Sequence, residues 1–282
     1  MSASPRCAAT TERPLPTPPR RWSTSRTLRW SLAAAVAVAA LGACAPAPGD
    51  DAPEGWRRAT ITQEQSDVLR ISSDAADAAR IEAPSSNVGT NSRALLWRDD
   101  APVTRDHGVC ATASHSGGPN QEGVALRVAR SPHGGVRGIT VNKNTWVRAH
   151  WFYNVMLWDT SQGDHQGFGI RTAVQYTGID MRTALSGSAA GDTPRRLCAR
   201  LSGTTLEWKL WPTNVAEPSW DDPAHTARVV LPQSWVYQGS PGLYIGHTPP
   251  GGWATFGAVT LDAPDALGAS SGGTEQGSPI RP

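Results

Sequence analysis

Lysine and long apolar runs are what this sequence has least of. Only two of its 26 basic residues are lysines, Lys143 and Lys209, so arginine supplies nearly all of the positive charge. The formal net charge is +2, which excludes the strongly basic surface expected of a nucleic-acid-binding protein. The longest apolar run, residues 32–43, is about twelve residues long and too short to span a bilayer comfortably.

Clear helical periodicity is also lacking, and the pattern that is present favours strands. Short apolar runs recur every ten or so residues, separated by clusters of Gly, Pro, Asn and Asp. This pattern predicts an all-β domain, a sandwich or a barrel, with almost no helix. The predicted strands are residues 94–98, 108–114, 123–130, 136–142, 145–158, 168–176, 195–202, 204–211, 227–232, 241–247 and 253–262.

The apolar run near the amino terminus is typical of a signal peptide. Arginines precede it, and it ends in Leu-Gly-Ala-Cys at residues 41–44. This ending resembles the bacterial lipobox, which implies cleavage before Cys44 and a lipid on its thiol. Two or three acyl chains anchor a protein stably to a membrane. The sequence therefore predicts a protein on the outer face of the bacterial cell membrane.

Alternatives to this interpretation stay open. An ordinary signal peptide, or a membrane anchor that contains a cysteine, would give a similar pattern. The n-region is long, which fits either a start downstream of Met1 or a twin-arginine signal at Arg20-Arg21. The second of these is weakened because the usual apolar residues do not follow the arginine pair.

Cysteine is scarce, with four in the chain. Cys7 lies in the predicted signal and Cys44 would carry the lipid, which leaves Cys110 and Cys198 as one pair. A single pair in an exported domain predicts a disulfide. Two isolated cysteines without a CxxC spacing are a poor signal for a metal or redox site.

The chain divides by composition into five segments. The main predicted domain is a sandwich over 93–262. A lead-in segment precedes it, in which a short helix or irregular structure is expected. The predicted segments are a signal peptide at 1–43, the lipidated cysteine with a flexible tether at 44–56, the lead-in at 57–92, the sandwich, and a disordered tail at 263–282.

The second half of the sandwich segment resembles a known family. A strand ending in Trp211-Pro212 is followed by Glu217-Pro218 and Trp220, then by Gly242-Leu243 and a closing strand at 256–261. These features are similar to the concanavalin A-like lectin/glucanase domains, particularly the laminin-G-like domains of actinobacterial exported proteins. The resemblance implies an antiparallel jelly-roll β-sandwich. It implies no chemistry, because this fold supports sugar binders, hydrolases, lyases and adhesion modules.

Motifs for catalysis are lacking. Glycoside hydrolases of this fold use two carboxylates on one strand face, and no such run occurs. A lyase base beside a uronate-binding group is suggested by Arg148 and His150, but Tyr153 has the opposite parity. The sequence predicts no catalytic residue, no cofactor and no metal site; a loop calcium and the oligomeric state stay undetermined.

The segment Trp146–Trp158, "WVRAHWFYNVMLW", suggests a ligand site. In a strand, successive side chains point to opposite faces, so its odd and even positions are considered separately; we call this odd or even position the parity of a residue. The odd positions, from Val147 to Leu157, are apolar apart from a tyrosine hydroxyl and are predicted to face the core. The even positions mix aromatic rings with hydrogen-bonding groups, as a sugar-binding cleft does, unless another segment covers them. The predicted ligand-binding residues are Trp146, Arg148, His150, Asn154 and Trp158, with Arg171 from the next strand.

The sequence thus predicts a lipid-anchored protein of the cell envelope whose jelly-roll domain binds a cell-wall or extracellular glycan without catalysis. An envelope polysaccharide hydrolase or lyase of the same fold is the first alternative. A structural or adhesion module that binds protein is the second alternative.

Overall fold

The computed structural model describes most of the chain from residue 52 to residue 262. The described residues are 52–62, 69–73, 75–86, 91–116, 120–132, 134–143, 153–162, 175–176, 194–262 and 278–279. All of them belong to one compact unit, residues 45–282. No helix in these ranges is long and apolar enough to cross a membrane.

Fifteen strands and two short 3-10 helices make up the described structure. The 3-10 helices are Thr160–Gln162 and Gln233–Trp235. The strands are β1 (Trp56–Thr62), β2 (Arg70–Ser72), β3 (Ala79–Glu82), β4 (Arg93–Arg98), β5 (His107–His115), β6 (Gln121–Arg130), β7 (Val136–Lys143), β8 (Tyr153–Asp159), β9 (Gln175–Tyr176), β10 (Arg195–Ser202), β11 (Thr205–Pro212), β12 (Thr226–Val230), β13 (Ser240–Gly246), β14 (Trp253–Asp262) and β15 (Ser278–Pro279).

The strands form two sheets that pack face to face as a jelly-roll β-sandwich. One sheet has seven strands in the order β1-β4-β13-β6-β7-β8-β9. The other has eight, in the order β15-β12-β11-β10-β5-β14-β3-β2. All pairings are antiparallel except β12–β15, which is parallel. The predicted fold class is confirmed.

Alternating residues of both sheets fill the space between them. Leu96, Val124 and Leu243 enter this core from the seven-stranded sheet, while Trp208 and Phe256 enter it from the eight-stranded sheet. All five side chains are at most 1% exposed. Period-two alternation in the sequence therefore corresponds directly to the inner and outer faces of each sheet.

The lead-in segment is part of the sandwich. Residues 57–92 were predicted to precede the domain, yet β1 pairs with β4 and β3 pairs with β14. The expected helix or irregular structure over 61–79 includes the end of β1 and all of β2. In the predicted tail, Ser278–Pro279 forms β15 beside β12. The rest of the tail and the signal segment lie outside the described residues.

Arg127 ties together three connections at one end of the sandwich. It sits at a bulge in β6 with a φ of 49°, and its side chain is fully buried. Its guanidinium donates hydrogen bonds to the carbonyl oxygens of Arg105 (2.8 Å), Trp235 (2.6 Å) and Gly203 (2.6 Å). A buried cation of this kind is stable only because several acceptors surround it.

His107 is the neutral partner of this arrangement. Its Nε2 accepts a hydrogen bond from the backbone N–H of Arg127 at 3.0 Å, and its Nδ1 lies 3.2 Å from the Thr104 hydroxyl. Burial, with a smaller effect from the Arg127 charge, lowers the pKa of His107 from 6.5 to about 4. If Nε2 were protonated, its N–H would face the backbone N–H of Arg127, and two hydrogen-bond donors would be in contact.

Acid is therefore expected to destabilise the fold through His107. Above pH 6.5 both the folded and the unfolded states hold this histidine neutral, whereas between pH 6.5 and 4 only the unfolded state gains the proton. The free energy of unfolding should fall by up to about 3 kcal/mol across that window. Urea denaturation at several pH values would measure it, and His107→Gln should remove this component. Equal acid sensitivity in both proteins would contradict the assignment.

Candidate functional site

Strand β8 confirms the parity predicted for the described part of the aromatic segment. Tyr153, Val155 and Leu157 lie in the core between the sheets. Met156 and Trp158 point the other way and join a second apolar cluster on the outer side of the seven-stranded sheet. We call this outer side the Arg93 face. Its described side chains are Arg93, Leu95, Gln121, Ala125, Thr140, Asn142, Met156, Trp158 and Tyr244.

Two aromatic rings form the floor of the Arg93 face. The rings of Trp158 and Tyr244 stack with centroids 5.7 Å apart and an angle of 23° between their planes. The indole N–H of Trp158 donates to the Thr140 hydroxyl at 3.0 Å, and that hydroxyl donates to the Asn142 side-chain oxygen at 2.9 Å. The hydrogen bond to Thr140 fixes the orientation of the Trp158 ring, on which Tyr244 stacks.

Small residues under the rings make this arrangement possible. Tyr244 is directly opposite Gly123, and Trp158 is directly opposite Gly138. At Gly246 a side chain would meet the Tyr244 hydroxyl at 2.6 Å and the Arg93 Cγ at 3.0 Å. Glycine is therefore required where the tyrosine and the arginine approach the backbone of β13.

The structure restricts the ligand role predicted for Trp158. Its side chain is 0% exposed, so neither ring face is open to a sugar. The predicted stacking by this residue does not fit the structure, and packing explains its position. Asn154 lies in β8 opposite Asn142, and its side chain is outside the described atoms. The other predicted ligand contacts, Trp146, Arg148, His150 and Arg171, are outside the described residues and stay predictions.

Arg93 and His247 form the polar edge of the face. An Arg93 guanidinium nitrogen donates to His247 Nε2 at 2.5 Å, and the guanidinium carbon lies 5.9 Å from the Trp158 ring centroid. The other terminal nitrogen of Arg93 donates to the Thr62 hydroxyl and to the Asn91 carbonyl oxygen, both at 3.1 Å. Because Arg93 donates to Nε2, His247 is an acceptor there and carries its proton on Nδ1.

The backbone at His247 is unusual. Its φ of 54° lies in the left-handed region, which residues other than glycine seldom adopt. Such conformations persist only where the surroundings enforce them, and they concentrate at functional sites. The hydrogen bond from the His247 N–H to the Ser92 carbonyl, together with the side-chain bond to Arg93, enforces this one.

Two buried polar side chains beside this edge have no hydrogen-bond partner within the described part of the chain. Asn120 directly precedes β6, and Thr248 directly follows His247; each is 1% exposed. Both side-chain atoms of Asn120 and the hydroxyl of Thr248 lack a partner. Their strands end at the paired residues Gly246 and Gln121, so both flank the same corner of the sheet.

Burial also governs the tyrosine of the floor. The Tyr244 hydroxyl lies 3.4 Å from the Gln121 side-chain oxygen. Desolvation raises the pKa of Tyr244 to about 12, and the nearby Arg93 partly opposes that rise. The phenol is therefore protonated at neutral pH and acts as a hydrogen-bond donor.

A buried charge cluster crosses between the two sheets at the same end of the sandwich. Glu122 forms ion pairs with Arg195 and, at 3.4 Å, with Lys143. Lys143 Nζ lies 2.8 Å from His115 Nε2, and Arg195 Nε donates to the Tyr153 hydroxyl at 3.2 Å. Burial lowers the pKa of Arg195 to about 10 and raises that of Tyr153. A small cavity lies beside Glu122 and Tyr153.

Carboxylates among the described residues are arranged for structure. Each of the three most buried is held by cations or hydroxyls: Glu122 by Arg195 and Lys143, Asp159 by Ser161 and Arg137, and Glu207 by Arg200 and Arg228. Within these residues, no three His, Cys, Asp or Glu side chains come together as a metal site would need. The two-carboxylate arrangement of a glycoside hydrolase gains no support from this part of the molecule.

The predicted disulfide is confirmed. Cys110 in β5 and Cys198 in β10 are directly opposite each other, with their Cα atoms 4.0 Å apart, and they are bonded. They lie on the outer side of the eight-stranded sheet, where Trp211 covers them and Trp220 packs beside it.

Comparison of sequences finds no relative of this chain, whereas comparison of structures finds proteins of low sequence identity. No protein-family model and no curated protein matches the chain. A carbohydrate binding module, CBM66 from Bacillus subtilis, is 13% identical, with 75% of this chain and 98% of that chain covered and a TM-score of 0.43. A lectin from Bauhinia forficata in complex with GalNAc is 9% identical, with 74% and 92% covered and a TM-score of 0.41.

A third similar structure is the exoplasmic/lumenal domain of VIP36 in its Ca²⁺/Man2-bound form. It is 13% identical, with 76% of this chain and 86% of that chain covered and a TM-score of 0.43. Similarities of this size carry no argument about the ligand of this chain.

The predicted ligand residues include neither member of the polar edge, and they also omit Gln121 and Tyr244 beside it. Arg93, Gln121, Tyr244 and His247 come from three strands that are distant in sequence, and strand order alone brings them together. One local signal was available. Tyr244 alternates with the core residues Leu243 and Ile245, so its parity placed it on the outer face.

Proposed function

We propose that this chain is a lipid-anchored protein of the cell envelope whose sandwich binds a glycan and catalyses no reaction. The observation that carries the binding proposal is a pair of buried polar side chains, Asn120 and Thr248, which find no hydrogen-bond partner among the described residues and flank the corner of Arg93 and His247. A buried polar atom without a partner is costly, and proteins retain such atoms where a ligand or a bound water completes the hydrogen bonds.

The chemistry of this corner suits a sugar. Asn120 offers two donors and an acceptor, Thr248 offers a hydroxyl, and Arg93 and Gln121 lie at the edge with 7% and 5% exposure. Neutral sugars present many hydroxyls that both donate and accept. A charged ligand would need only one cation for binding. A mixed set of amide, hydroxyl and imidazole groups instead favours a ligand with many hydroxyl groups.

Thr248→Val tests the corner with a change of nearly equal volume. Removing the hydroxyl should lower affinity about 5–10-fold for a ligand that it contacts. Without ligand, the free energy of unfolding should rise by about 1 kcal/mol, because a buried hydroxyl without a partner is lost. A glycan array probed with the full chain identifies the ligand, calorimetric titration measures affinity, and urea denaturation measures stability.

Thr205→Val in β11 is the matched control, since it makes the same substitution in the other sheet. It should leave affinity unchanged. A loss of stability in Thr248→Val would mean that the hydroxyl is already satisfied in the free protein. Equal affinity in both variants, or no binding on the array, would remove this corner as the site.

The predicted contacts whose side chains the structure does not describe have their own test. We propose that Trp146, Arg148, His150, Asn154 and Arg171 extend the glycan site, as their mixture of rings and hydrogen-bonding groups suggests. The variant Trp146→Ala/His150→Ala should lose binding to the same glycan that Thr248→Val weakens. Unchanged binding in that double variant would confine the site to the Arg93 corner.

The anchor rests on the sequence ending at Cys44. Wild type expressed with its leader should incorporate labelled fatty acid and partition into detergent, while Cys44→Ser should do neither. Labelling that persists in Cys44→Ser would exclude this lipidation site.

A second candidate, a polysaccharide lyase, is favoured by one observation. Arg93, Gln121, His247 and Tyr244 lie at one corner of the Arg93 face, and lyases of this fold use an Arg or Gln to neutralise a uronate beside a His or Tyr base. Burial keeps the Tyr244 phenol protonated, so in this alternative His247 would be the base. Its Nε2 lone pair would become available when the Arg93 guanidinium turns from Nε2 to the uronate carboxylate. Ultraviolet absorption from new carbon–carbon double bonds in acidic polysaccharides, lost in His247→Gln, would replace the non-catalytic proposal.

A further inference from the structure

The outer side of the eight-stranded sheet is more open than the Arg93 face. We call it the open face. Several of its central side chains are half-buried, including Thr112, Ser114, Arg196, Thr255 and Thr260. Toward β11 the face is covered, because Trp220 packs over a group of buried side chains: Cys110, Cys198, Arg200, Lys209 and Trp211. The half-buried ring of Trp253 stands at its edge, with the Arg80 guanidinium 4.6 Å above the ring centroid.

Strand register gives the charge on this face. Six cationic side chains point outward from its strands, against three acidic ones, Glu82, Glu207 and Asp262. The cations are Arg70, Arg80, Arg196, Arg200, Lys209 and Arg228. Glu217 from the β11–β12 connection pairs with Lys209 at 2.6 Å. The open face therefore keeps an excess of positive charge although the whole chain is close to neutral.

Arg196, in the middle of the open face, forms no ion pair with a described carboxylate. It donates to the Ala258 carbonyl at 2.9 Å and to the Thr112 hydroxyl at 3.3 Å. Partial burial lowers its pKa, while Glu217 and Asp262 raise it from beyond ion-pair distance. Arg196 is thus a half-buried cation whose hydrogen-bond partners are all uncharged.

A notch lies next to this cation. Gly257 is directly opposite Thr112, which is directly opposite Arg196, so the three residues form one row across three strands. A side chain at Gly257 would meet nothing within 4 Å. The neighbouring Ala258 is exposed and has a φ of 47°. The row therefore offers an open space flanked by a hydroxyl and a guanidinium.

We infer that the open face is a second binding site, separate from the Arg93 corner, and that it binds a carboxylate-bearing polysaccharide chain across the strands. One carboxylate would lie in the notch at Gly257, against Arg196 and the Thr112 hydroxyl. Trp253 with Arg80 at one side and Arg228 at the other would contact further sugar units.

The dimensions favour a polymer. Measured across the strands, Arg80 in β3 and Arg228 in β12 are five strand intervals apart, which at about 4.8 Å each gives roughly 24 Å. They are also offset along the strands, because Arg80 lies in the row of Ser114 and Arg228 in the row of Arg200, so the line that joins them is oblique and longer. Arg196 lies between them. Arg80 pairs with Glu82 and Arg228 pairs with Glu207, whereas Arg196 forms no ion pair with a described carboxylate. A small anion would need only Arg196, whereas an extended acidic chain would bind Arg196 and compete with the two acidic side chains for Arg80 and Arg228. The tryptophan ring and the hydroxyl-bearing strands favour sugar units over a protein partner.

Polygalacturonate and its fully methyl-esterified form are the matched probes, because they share a backbone and differ only in charge. The full chain should bind polygalacturonate, and the esterified polymer about tenfold or more weaker, since the charge that pairs with Arg196 is gone. Raising salt from about 50 mM to about 500 mM should lower the affinity for polygalacturonate about tenfold by screening.

Arg196→Gln should lower affinity for polygalacturonate about tenfold, and Arg196→Lys should restore part of it. Arg130→Gln is the control, because it removes the same charge from an exposed position at the end of β6, in the other sheet. Thermal denaturation of each variant shows whether the fold is intact. Neither Arg196 variant should alter binding at the Thr248 corner.

Three results would overturn the inference. The esterified polymer could bind as well as the acidic one, or Arg196→Gln could behave like Arg130→Gln. Binding to phosphatidylglycerol vesicles in place of either polymer would make the face a membrane contact instead. None of these results changes the outcome of the Thr248→Val test, so the two sites succeed or fail separately.

Discussion

Replacing Glu122 by glutamine is expected to lower the free energy of unfolding by about 3–5 kcal/mol. The carboxylate is 1% exposed and lies against both Arg195 and Lys143. Glutamine has nearly the same shape but no charge, so two buried cations would lose their common anion. Urea denaturation followed by tryptophan fluorescence would measure the loss.

The same substitution at an exposed ion pair is the control. Glu82 pairs with Arg80 at 2.6 Å and is 47% exposed, so Glu82→Gln should cost about 0–1 kcal/mol. Because Glu122 belongs to one sheet and Arg195 to the other, the loss at Glu122 should appear as a lower midpoint of global unfolding. A cost below that of Glu82→Gln would show that Glu122 contributes little to holding the sheets together.

Removing the disulfide should have an effect of similar size. Cys110 and Cys198 are 88 residues apart in sequence, and closing a loop of that length stabilises a fold by about 4–5 kcal/mol in the chain-entropy model. The variant Cys110→Ala/Cys198→Ala should unfold at a correspondingly lower urea concentration. Both positions are buried, so alanine avoids leaving an unpaired thiol in the sheet.

Reducing agent provides the control for the disulfide. It should destabilise wild type toward the value of the double variant and leave the double variant unchanged. If the reductant lowered the stability of both proteins equally, the effect would come from another source. A difference below about 1 kcal/mol between wild type and variant would mean that the chain-entropy model fails for this loop.

Alternation of polarity predicted the long strands because nothing interrupts it there. The predicted strands 195–202 and 253–262 coincide with β10 and β14. It missed β2 and β3 because strands of three and four residues have too few alternations to be recognised. It also missed β1, in which only Trp56 and Ile61 of seven side chains are buried, so that the alternation is weak. The predicted strand 145–158 is confirmed from Tyr153 onward, where it coincides with β8, and its first eight residues lie outside the described residues. The disulfide was predictable by counting, since only two cysteines remained.

The candidate site was less predictable. Parity placed Met156 and Trp158 on the outer face, yet it carries no information on whether that face is covered, and both are buried. The Arg93 corner exists because β4, β13 and β6 are neighbours in the sheet. The alternation of polar and apolar residues along each strand does not specify this order. Asn120 and Thr248, whose side-chain atoms lack partners among the described residues, have no sequence signature at all, because only three-dimensional packing determines which polar groups are left without one.

The strand order also dictates when each part of the sandwich can assemble. β5, near the middle of the eight-stranded sheet, lies between β10 and β14, which follow it by more than 80 and more than 130 residues. A chain that emerges amino terminus first must keep the edges of β5 unpaired until both partners arrive, and pairings of this range are slow. Oxidation of Cys110 and Cys198 can join β5 to β10 before β14 arrives, so the disulfide would protect one exposed edge during assembly.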